Sequence, residues 1–243
     1  MESLINALKQ ALRNSERVAV LTGAGVSAES GIPTFRGDDG IWKDYQATDL
    51  ATPEAFARDP ELVWEFYNWR RRLISHKACN PAHLALAELE RLIPGVTLIT
   101  QNVDGLHHLA GSRNLLEIHG NIWRVRCTRC GKEILDRAPN MGHLPTCDAC
   151  GGLLRPGVVW FGESLDPDIL QQAVAASQRC QVMLVVGTSS VVQPAASLAY
   201  TAKSGGAVLA EVNLERTPNS DLMDMVLLGK AGAIVPRLVE GWS

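Results

Sequence analysis

The sequence has no long apolar segment and no excess of either charge. None of its apolar runs approaches the roughly 20 residues that cross a bilayer, and the first residues lack the apolar stretch of a signal peptide. Its 23 Lys and Arg residues balance 26 Asp and Glu residues, for a net charge of −3. This balance argues against a general affinity for nucleic acid or an anionic membrane. We therefore predict a cytoplasmic monomer with no membrane partner and no specific nucleic-acid partner.

Internal repeats and low-complexity segments are also lacking, and short apolar runs alternate with helical patterns. Nearly unbroken runs of this kind are typical of strands covered on both faces. The predicted strands are 18–21, 96–99, 115–118, Val182–Val186 and 207–212, with a sixth candidate at 232–235. Asn80 and Pro81 form a helix start between two of these strands. The alternation predicts an α/β fold with a Rossmann-like, doubly wound parallel sheet.

Two segments interrupt this alternation. Residues 37–78 are rich in Trp and Arg, and residues 121–155 carry four cysteines among turn-forming residues. We predict that both segments form a smaller inserted domain, and that residues 1–36, 79–120 and 156–243 form the Rossmann-like domain. A cleft between two domains is a common place for a ligand.

Four of the six cysteines form two C-x₂-C pairs, Cys127 with Cys130 and Cys147 with Cys150. Two such pairs, separated here by residues 131–146, can close a tetrahedral zinc site. A site filled by four sulfurs leaves no position for water, so we predict one structural zinc ion. Disulfides are the alternative interpretation, although they are rare in cytoplasmic proteins. Cys79 and Cys180 have no assigned role.

A glycine-rich turn follows the first predicted strand. Gly23, Gly25 and Ala28 form the pattern G-x-G-x-x-A, which lets backbone amides approach a pyrophosphate at the start of a helix. A tight structural turn would look similar. Residues 30–33 interrupt the helix. A dehydrogenase would have a second strand that ends in an acidic ribose-binding residue roughly 20 residues on, and no clear strand of this kind is found. Asp44 lies near that distance but among polar residues. A dinucleotide is therefore compatible with the turn, but hydride transfer is not supported.

Five segments in order along the chain resemble the signatures of sirtuins. They are residues 23–37, 100–107, 119–120, 187–189 and 213–215. The resemblance implies an enzyme that transfers an acyl group from a protein lysine to the ADP-ribose part of NAD, yielding nicotinamide, O-acyl-ADP-ribose and free lysine. Its partners are then acylated-lysine proteins.

The resemblance also implies the catalytic and cofactor-binding residues. His119 matches the general base that deprotonates a ribose hydroxyl, and an imidazole suits that task because it titrates near neutral pH. A histidine that merely caps a strand is the plain alternative. Asn102 matches a catalytic residue of the nicotinamide pocket. The expected cofactor contacts are Gly23, Ala24, Gly25, Ser27, Ile32, Phe35, Arg36, Gln101, Asn102, Asp104, Gly187, Thr188, Ser189, Asn213, Leu214, Glu215 and Ala231.

A further likeness concerns the acyl group. Tyr67 and Arg70 lie three residues apart on a predicted helix, and together they resemble the pair that binds acidic acyl groups in desuccinylase-type sirtuins. A solvated basic face shared with Arg71 and Arg72 is the alternative. The expected substrate-binding residues are Tyr67, Arg70, Ala51, Val158, Val159, Trp160 and Phe161. We expect removal of acetyl and succinyl groups, with malonyl and glutaryl as further candidates.

Three other functions share some of these features. An NAD-dependent dehydrogenase would use the same glycine turn, and a protein mono-ADP-ribosyltransferase would break the same bond of NAD. A zinc-dependent nucleic-acid-binding module would use the basic residues near the cysteines, which are Arg124, Arg126, Arg129 and Lys132.

Overall fold

The computed structural model describes residues 1–33, 41–43 and 45–242. The helices are α1 Glu2–Arg13, α2 Ala24–Ala28, α3 Ala47–Leu50, α4 Pro53–Arg58, α5 Pro60–Ser75, α6 Pro81–Leu92, α7 Leu106–Ala110, α8 Pro167–Arg179, α9 Leu198–Ser204 and α10 Ala231–Val239. The strands are β1 Val18–Thr22, β2 Ile41–Trp42, β3 Tyr45–Gln46, β4 Val96–Thr100, β5 Leu115–Glu117, β6 Gly120–Cys127, β7 Glu133–Leu135, β8 Leu154–Val158, β9 Val182–Val186, β10 Val208–Asn213 and β11 Met225–Leu228. None of the described helices is long and apolar enough to cross a membrane.

Six strands form one parallel sheet in the order β11-β10-β9-β1-β4-β5. The chain builds the sheet outward from β1 through β4 to β5, and then resumes beside β1 with β9, β10 and β11. The order therefore reverses between β1 and β9. In open α/β sheets, ligands bind where the strand order reverses, outside the carboxyl ends of the strands. The doubly wound parallel sheet expected from the sequence is confirmed.

Alternate residues of each central strand enter opposite apolar cores. Val18 and Val20 pack in one core with helices α1, α6 and α10, whereas Ala19 and Leu21 pack in the other with α8 and α9. All five residues of β1 are buried. Burial on both faces explains why the strands are apolar without alternation, because every side chain leaves water.

The sixth strand was wrongly placed at residues 232–235. These residues belong to α10, and the edge strand of the sheet is β11. Ala231, Ile234, Val235 and Leu238 are buried at helical spacing and pack against α1 and α6. A short apolar run does not by itself distinguish a buried strand from a buried helix, and here the periodicity extending to Leu238 decides.

A third apolar core lies outside the sheet. Helix α5 packs there against a three-stranded antiparallel sheet with the order β7-β6-β8. Asp59 caps the start of α5, since its side chain accepts a hydrogen bond from the Leu62 amide, and Pro60 occupies the first helical position. The division into two domains at the boundaries given above stays a prediction.

Candidate functional site

The loops that follow β1, β4, β5, β9 and β10 meet at the carboxyl edge of the parallel sheet. Parallel strands all end at the same edge, so residues that are far apart in sequence become neighbours there. In-register pairing aligns Thr22, at the end of β1, with Thr100 on one side and Val186 on the other. Most of the residues expected to contact the cofactor follow these strand ends.

The turns after β1 and β9 touch through their backbones. The Gly25 amide donates to the Gly187 carbonyl at 2.8 Å. A Cβ on Gly25 would lie 2.7 Å from that oxygen, and Gly187 has a φ of +60°, so both positions need glycine. The close approach leaves the start of α2 open to a cavity beside it.

This cavity has a volume of about 280 Å³. It is lined by Gly25, Ala28, Glu29, Gly187, Val212, Asn213, Leu214, Gly229, Lys230 and Ala231. Five of these residues were expected to contact the cofactor, namely Gly25, Gly187, Asn213, Leu214 and Ala231. Glu29 was missed as a site residue although it lies within the glycine signature. Its carboxylate accepts a hydrogen bond from the Gly232 amide at 2.7 Å and so ties the turn after β1 to α10.

Ser27, Asn102 and Asp104 form one buried hydrogen-bonded group. The Ser27 hydroxyl donates to Asp104 Oδ2 at 2.8 Å and accepts from Asn102 Nδ2 at 3.1 Å. The second carboxylate oxygen of Asp104 accepts from the Leu106 amide at 2.8 Å. Burial raises the pKa of Asp104, whereas the amide of Leu106 and then the hydroxyl of Ser27 oppose that rise. The tertiary structure thus joins a residue of the first signature to two residues of the second.

His83 completes this group and was missed by the sequence reasoning. Its Nε2 lies 3.3 Å from Ser27 Oγ, and its Nδ1 accepts from the Asn80 amide at 3.3 Å. Because Nδ1 accepts, the ring proton lies on Nε2 and points toward Ser27. The only signal in the sequence is the spacing from Asn80 to His83, which forms a capping box at the start of α6.

His119 lies beyond the end of β5, and its ring orientation is set by the backbone. Nδ1 lies 3.0 Å from the carbonyl oxygen of Gln101. A carbonyl only accepts, so Nδ1 carries the proton and Nε2 keeps a free lone pair. Burial lowers the pKa of His119, and the bond to Gln101 partly opposes that effect. The imidazole is therefore held neutral, as a general base requires.

Gln101 and Thr188 join the ends of β4 and β9. The Gln101 side chain donates to Thr188 Oγ1 at 2.9 Å, and Asn213 Nδ2 donates to the Thr188 carbonyl at 2.9 Å. Among the other expected cofactor contacts, Gly23 and Ile32 are buried, Ala24 is half-buried, and Ser189 and Glu215 are exposed. Phe35 and Arg36, as well as Asp44, lie outside the described residues.

Tyr67 and Arg70 are both buried on α5, with 3% and 5% of their surfaces exposed. Arg72 is exposed, so the solvated basic face suggested as an alternative is limited to that residue and does not include Arg70 or Arg71. Burial raises the pKa of Tyr67 to about 12 and lowers that of Arg70 to about 10, while Tyr67 and then Asp104 favour the charged guanidinium. At neutral pH the pair consists of a phenol and a cation.

The segment from Val158 to Phe161 joins Tyr67 to the sheet edge. The Val159 amide donates to the His119 carbonyl at 2.9 Å, and the Phe161 amide donates to the Ala51 carbonyl at 2.9 Å. Trp160 Nε1 donates to the hydroxyl of Tyr67 at 3.0 Å. Strand β8 ends at Val158, so the rest of the segment is a loop.

The four predicted zinc ligands cluster outside the sheet edge. The Sγ atoms of Cys127, Cys130, Cys147 and Cys150 lie within 4.8 Å of one another, with Cys127 and Cys150 3.4 Å apart. Four sulfurs at the usual Zn–S distance of about 2.3 Å lie roughly 3.8 Å apart in a tetrahedron. A disulfide would need about 2.05 Å, so the disulfide interpretation is wrong and the residues fit zinc.

Basic residues near the cysteines are largely engaged with neighbouring groups. Lys132 forms an ion pair with Asp148 at 2.8 Å, and Arg124 lies 3.5 Å from the Glu117 carboxylate. Arg129 donates to the Cys150 carbonyl at 2.8 Å. These contacts reduce the positive charge that a nucleic-acid-binding surface would need.

Comparisons with known proteins agree with this geometry. A profile of the Sir2 family matches residues 23–194. The NAD-dependent protein deacylase of Pyrococcus furiosus is 50% identical over 98% of this chain and 97% of its own length, and NAD-dependent protein deacylase 1 of Archaeoglobus fulgidus is 52% identical over 96% of each. The crystal structure of a Sir2 homolog–NAD complex superposes with a TM-score of 0.92 at 51% identity, covering 96% of this chain and 92% of that chain. The chain belongs to the Sir2 family, the sirtuins.

Proposed function

We propose that this protein is an NAD-dependent protein-lysine deacylase that removes acetyl and succinyl groups. The observation that carries the proposal is His119, whose ring is oriented by the Gln101 carbonyl so that Nε2 keeps its lone pair. Gln101 is the chain neighbour of Asn102, which forms one hydrogen-bonded group with Ser27 and Asp104. The curated relatives named NAD-dependent protein deacylase cover nearly the whole chain, which supports the same activity.

NAD fits the described residues in two places. Gly25 and Gly187 pack so closely that neither has space for a Cβ, and both line the 280 Å³ cavity. Asn213 and Ala231, which line the same cavity, would contact the adenosine half of NAD. The amide of Asn102 and the carboxylate of Asp104 would hold the nicotinamide half. When bound, NAD supplies the ribose carbon that accepts the acyl oxygen as nicotinamide leaves.

The residues of the chain then have separate tasks. His119 accepts a proton at Nε2. Its Nδ1 continues to donate a hydrogen bond to the Gln101 carbonyl, and this bond stabilises the imidazolium that forms. The buried Ser27 hydroxyl fixes the orientations of Asn102 and Asp104. Four cysteine ligands leave no coordination position for water, so the zinc ion would hold the β6–β8 region together without taking part in the chemistry.

The acyl-lysine peptide would bind along residues 158–161. The amides of Val159, Trp160 and Phe161 already donate within the protein, to the His119 carbonyl, the Glu163 carboxylate and the Ala51 carbonyl. An added strand would therefore donate to carbonyl oxygens of this segment. A succinyl carboxylate would lie between the Tyr67 hydroxyl and the Arg70 guanidinium, because a buried phenol and cation together stabilise an anion.

The experiment is mass spectrometry of acetyl-lysine and succinyl-lysine peptides of identical sequence, with and without NAD. We expect both acyl groups to leave only with NAD, and we expect His119→Ala to abolish both reactions. Arg70→Met should lose mainly desuccinylation, while Arg72→Met, which removes the exposed neighbouring arginine, should keep it. If acetyl alone is removed by the wild type, the acidic-acyl part is wrong. ADP-ribose added to the peptide would instead indicate a mono-ADP-ribosyltransferase.

A further inference from the structure

Tyr67 and Trp160 form a buried pair whose hydrogen-bond direction is determined. Trp160 Nε1 lies 3.0 Å from the Tyr67 hydroxyl oxygen, and each residue is only 3% exposed. An indole nitrogen donates and never accepts, so the phenol oxygen is the acceptor in this bond. The phenolic proton of Tyr67 must therefore point to another group.

Tyr67 keeps that proton under all ordinary conditions. Burial raises the pKa of its hydroxyl to about 12, an effect that the bond from Trp160 and the charge of Arg70 only partly oppose. The side chain is thus a neutral donor with one proton to give. A carboxylate is the acceptor that gains most from such a donor, since hydrogen bonds to ionised acceptors are roughly twice as strong as neutral ones.

Three neighbouring side chains contact Trp160, namely Arg155, Phe56 and Glu163. The guanidinium of Arg155 lies 3.4 Å from the centroid of the indole ring, and the ring of Phe56 packs against it at 5.2 Å. Glu163 accepts from Arg155 Nη2 at 2.9 Å and from the Trp160 amide at 2.8 Å. Arg155 Nη2 also donates to the Val158 carbonyl at 3.0 Å.

These contacts fix both the backbone and the ring of Trp160. Arg155 is 8% exposed and contacts both Val158 and Glu163, so its guanidinium lies in the interior, whereas the Glu163 side chain is half-buried. A planar guanidinium can stack on an indole and pair with a carboxylate at once, which a lysine ammonium cannot do. The indole N–H is consequently aimed at Tyr67 before any substrate arrives.

We propose that Trp160 determines acyl specificity by fixing the direction in which Tyr67 donates its phenolic proton, and that Arg155 is a positioning residue that acts through Trp160. The acceptor is the carboxylate of an acidic acyl group such as succinyl. An acetyl group has no carboxylate and gains nothing from this arrangement. The inference rests on the proposed removal of acidic acyl groups.

The test is a double-mutant cycle with Trp160→Phe and Tyr67→Phe. Phenylalanine at 160 keeps an aromatic ring for Arg155 and Phe56 but removes the N–H. For each variant, kcat and KM are measured with succinyl and acetyl peptides of identical sequence at saturating NAD. We expect Trp160→Phe to lower the succinyl-to-acetyl ratio of kcat/KM about tenfold, mainly through KM for the succinyl peptide.

In the Tyr67→Phe background the same change at position 160 should alter that ratio less than about twofold, because the two residues act on one hydrogen bond. Two outcomes would overturn the inference: Trp160→Phe lowers both reactions by the same factor, or its effect on the ratio persists undiminished without the Tyr67 hydroxyl. A wild type that leaves succinyl peptide intact would instead overturn the acidic-acyl function on which the inference rests.

Arg155→Lys provides a second route if Trp160→Phe does not fold. Lysine keeps the charge opposite Glu163 but loses the planar stack, so we expect the succinyl-to-acetyl ratio to fall about threefold. This decrease should also vanish in the Tyr67→Phe background. A decrease of equal size with and without the hydroxyl would show that Arg155 does not act through Tyr67.

Discussion

The carbonyl oxygen of Gln101 accepts the Nδ1 proton of His119 at 3.0 Å. This bond joins the end of β4 to His119, two residues beyond the end of β5, and it selects the tautomer in which Nε2 is unprotonated. Gln101 also donates from its side chain to Thr188 Oγ1, at the end of β9. One residue therefore orients the proposed base and ties together three strand ends.

The pH dependence of deacylation should follow His119. Burial is the main cause that lowers the pKa of His119 below the ordinary imidazole value of 6.5, and a general base works only when it is unprotonated. Activity is thus present above this pKa and lost as the pH falls through it. We expect the acidic limb of kcat/KM to have its midpoint below pH 6.5, measured with an acetyl peptide at saturating NAD. A midpoint above 6.5 would contradict this assignment of the base.

Gly25→Ala should weaken NAD binding. The new Cβ would lie 2.7 Å from the Gly187 carbonyl oxygen, so the turns after β1 and β9 must move apart. Overpacking of this kind costs about 1–3 kcal/mol, and we expect the Kd for NAD, measured by calorimetry, to rise roughly tenfold or more. Gly206→Ala is the control, because that glycine has φ of +84° and no neighbour within 4 Å. It can lower stability but should leave NAD affinity unchanged.

Removal of zinc should unfold the region around the cysteine cluster. We expect elemental analysis to find one zinc ion per chain, since the four Sγ atoms form one cluster. Chelation, or Cys130→Ser, should lower the melting temperature and expose the apolar core between α5 and β6–β8 to a hydrophobic dye. Cys180→Ser removes a buried thiol outside the cluster and should leave the zinc content unchanged. Full retention of melting temperature after complete zinc loss would contradict a structural role.

Arg71→Met should destabilise the protein strongly. The guanidinium is 1% exposed and donates to the carbonyls of Ala138, Ile122 and Asp136 and to the Asp136 carboxylate. Methionine would leave these acceptors without a donor, at a cost of about 3–5 kcal/mol in the free energy of unfolding. Urea unfolding measures this cost.

The matched control for Arg71→Met is Arg72→Met, one position further along α5. Arg72 is exposed, so its loss should change the free energy of unfolding by less than about 0.5 kcal/mol. If both substitutions changed the free energy of unfolding by similar amounts, the buried hydrogen bonds of Arg71 would not stabilise the fold.

Two buried histidines should make the protein sensitive to acid. Burial lowers the pKa of His83 to about 4 and, as the largest cause, that of His107 to about 3. Folding thus favours the neutral rings, so stability is full above about pH 6.5 and is lost as the pH falls toward 4. The loss amounts to at most about 1.4 kcal/mol per pH unit for each histidine.

Urea unfolding between pH 7 and pH 5 tests this expectation. His107→Gln should reduce the slope of stability against pH, because it removes one of the buried rings whose pKa is lowered on folding. His76→Gln replaces an exposed histidine and should keep the wild-type slope. An unchanged slope in His107→Gln would show that His107 is not a source of the acid sensitivity.

The sequence alone determined the sheet, the family and the metal ligands. Buried parallel strands must be apolar on both faces, and a Cys₄ zinc site requires two closely spaced pairs, so both leave local patterns that can be read directly. Residues 232–235 were wrongly predicted as a strand, because four apolar residues are too few to show either a helical or a strand periodicity. The helical spacing of Ala231, Ile234 and Leu238 became evident only with the packing of α10.

The relations between distant segments were decided by the tertiary structure. His83 contacts Ser27, which donates to Asp104, while Arg155 stacks on Trp160, and Trp160 donates to Tyr67. Each of these contacts is a distance and an angle between side chains on different elements, which no spacing along the chain specifies. The sequence supplies the chemical groups, and the packing of helices against the sheet fixes which donor faces which acceptor.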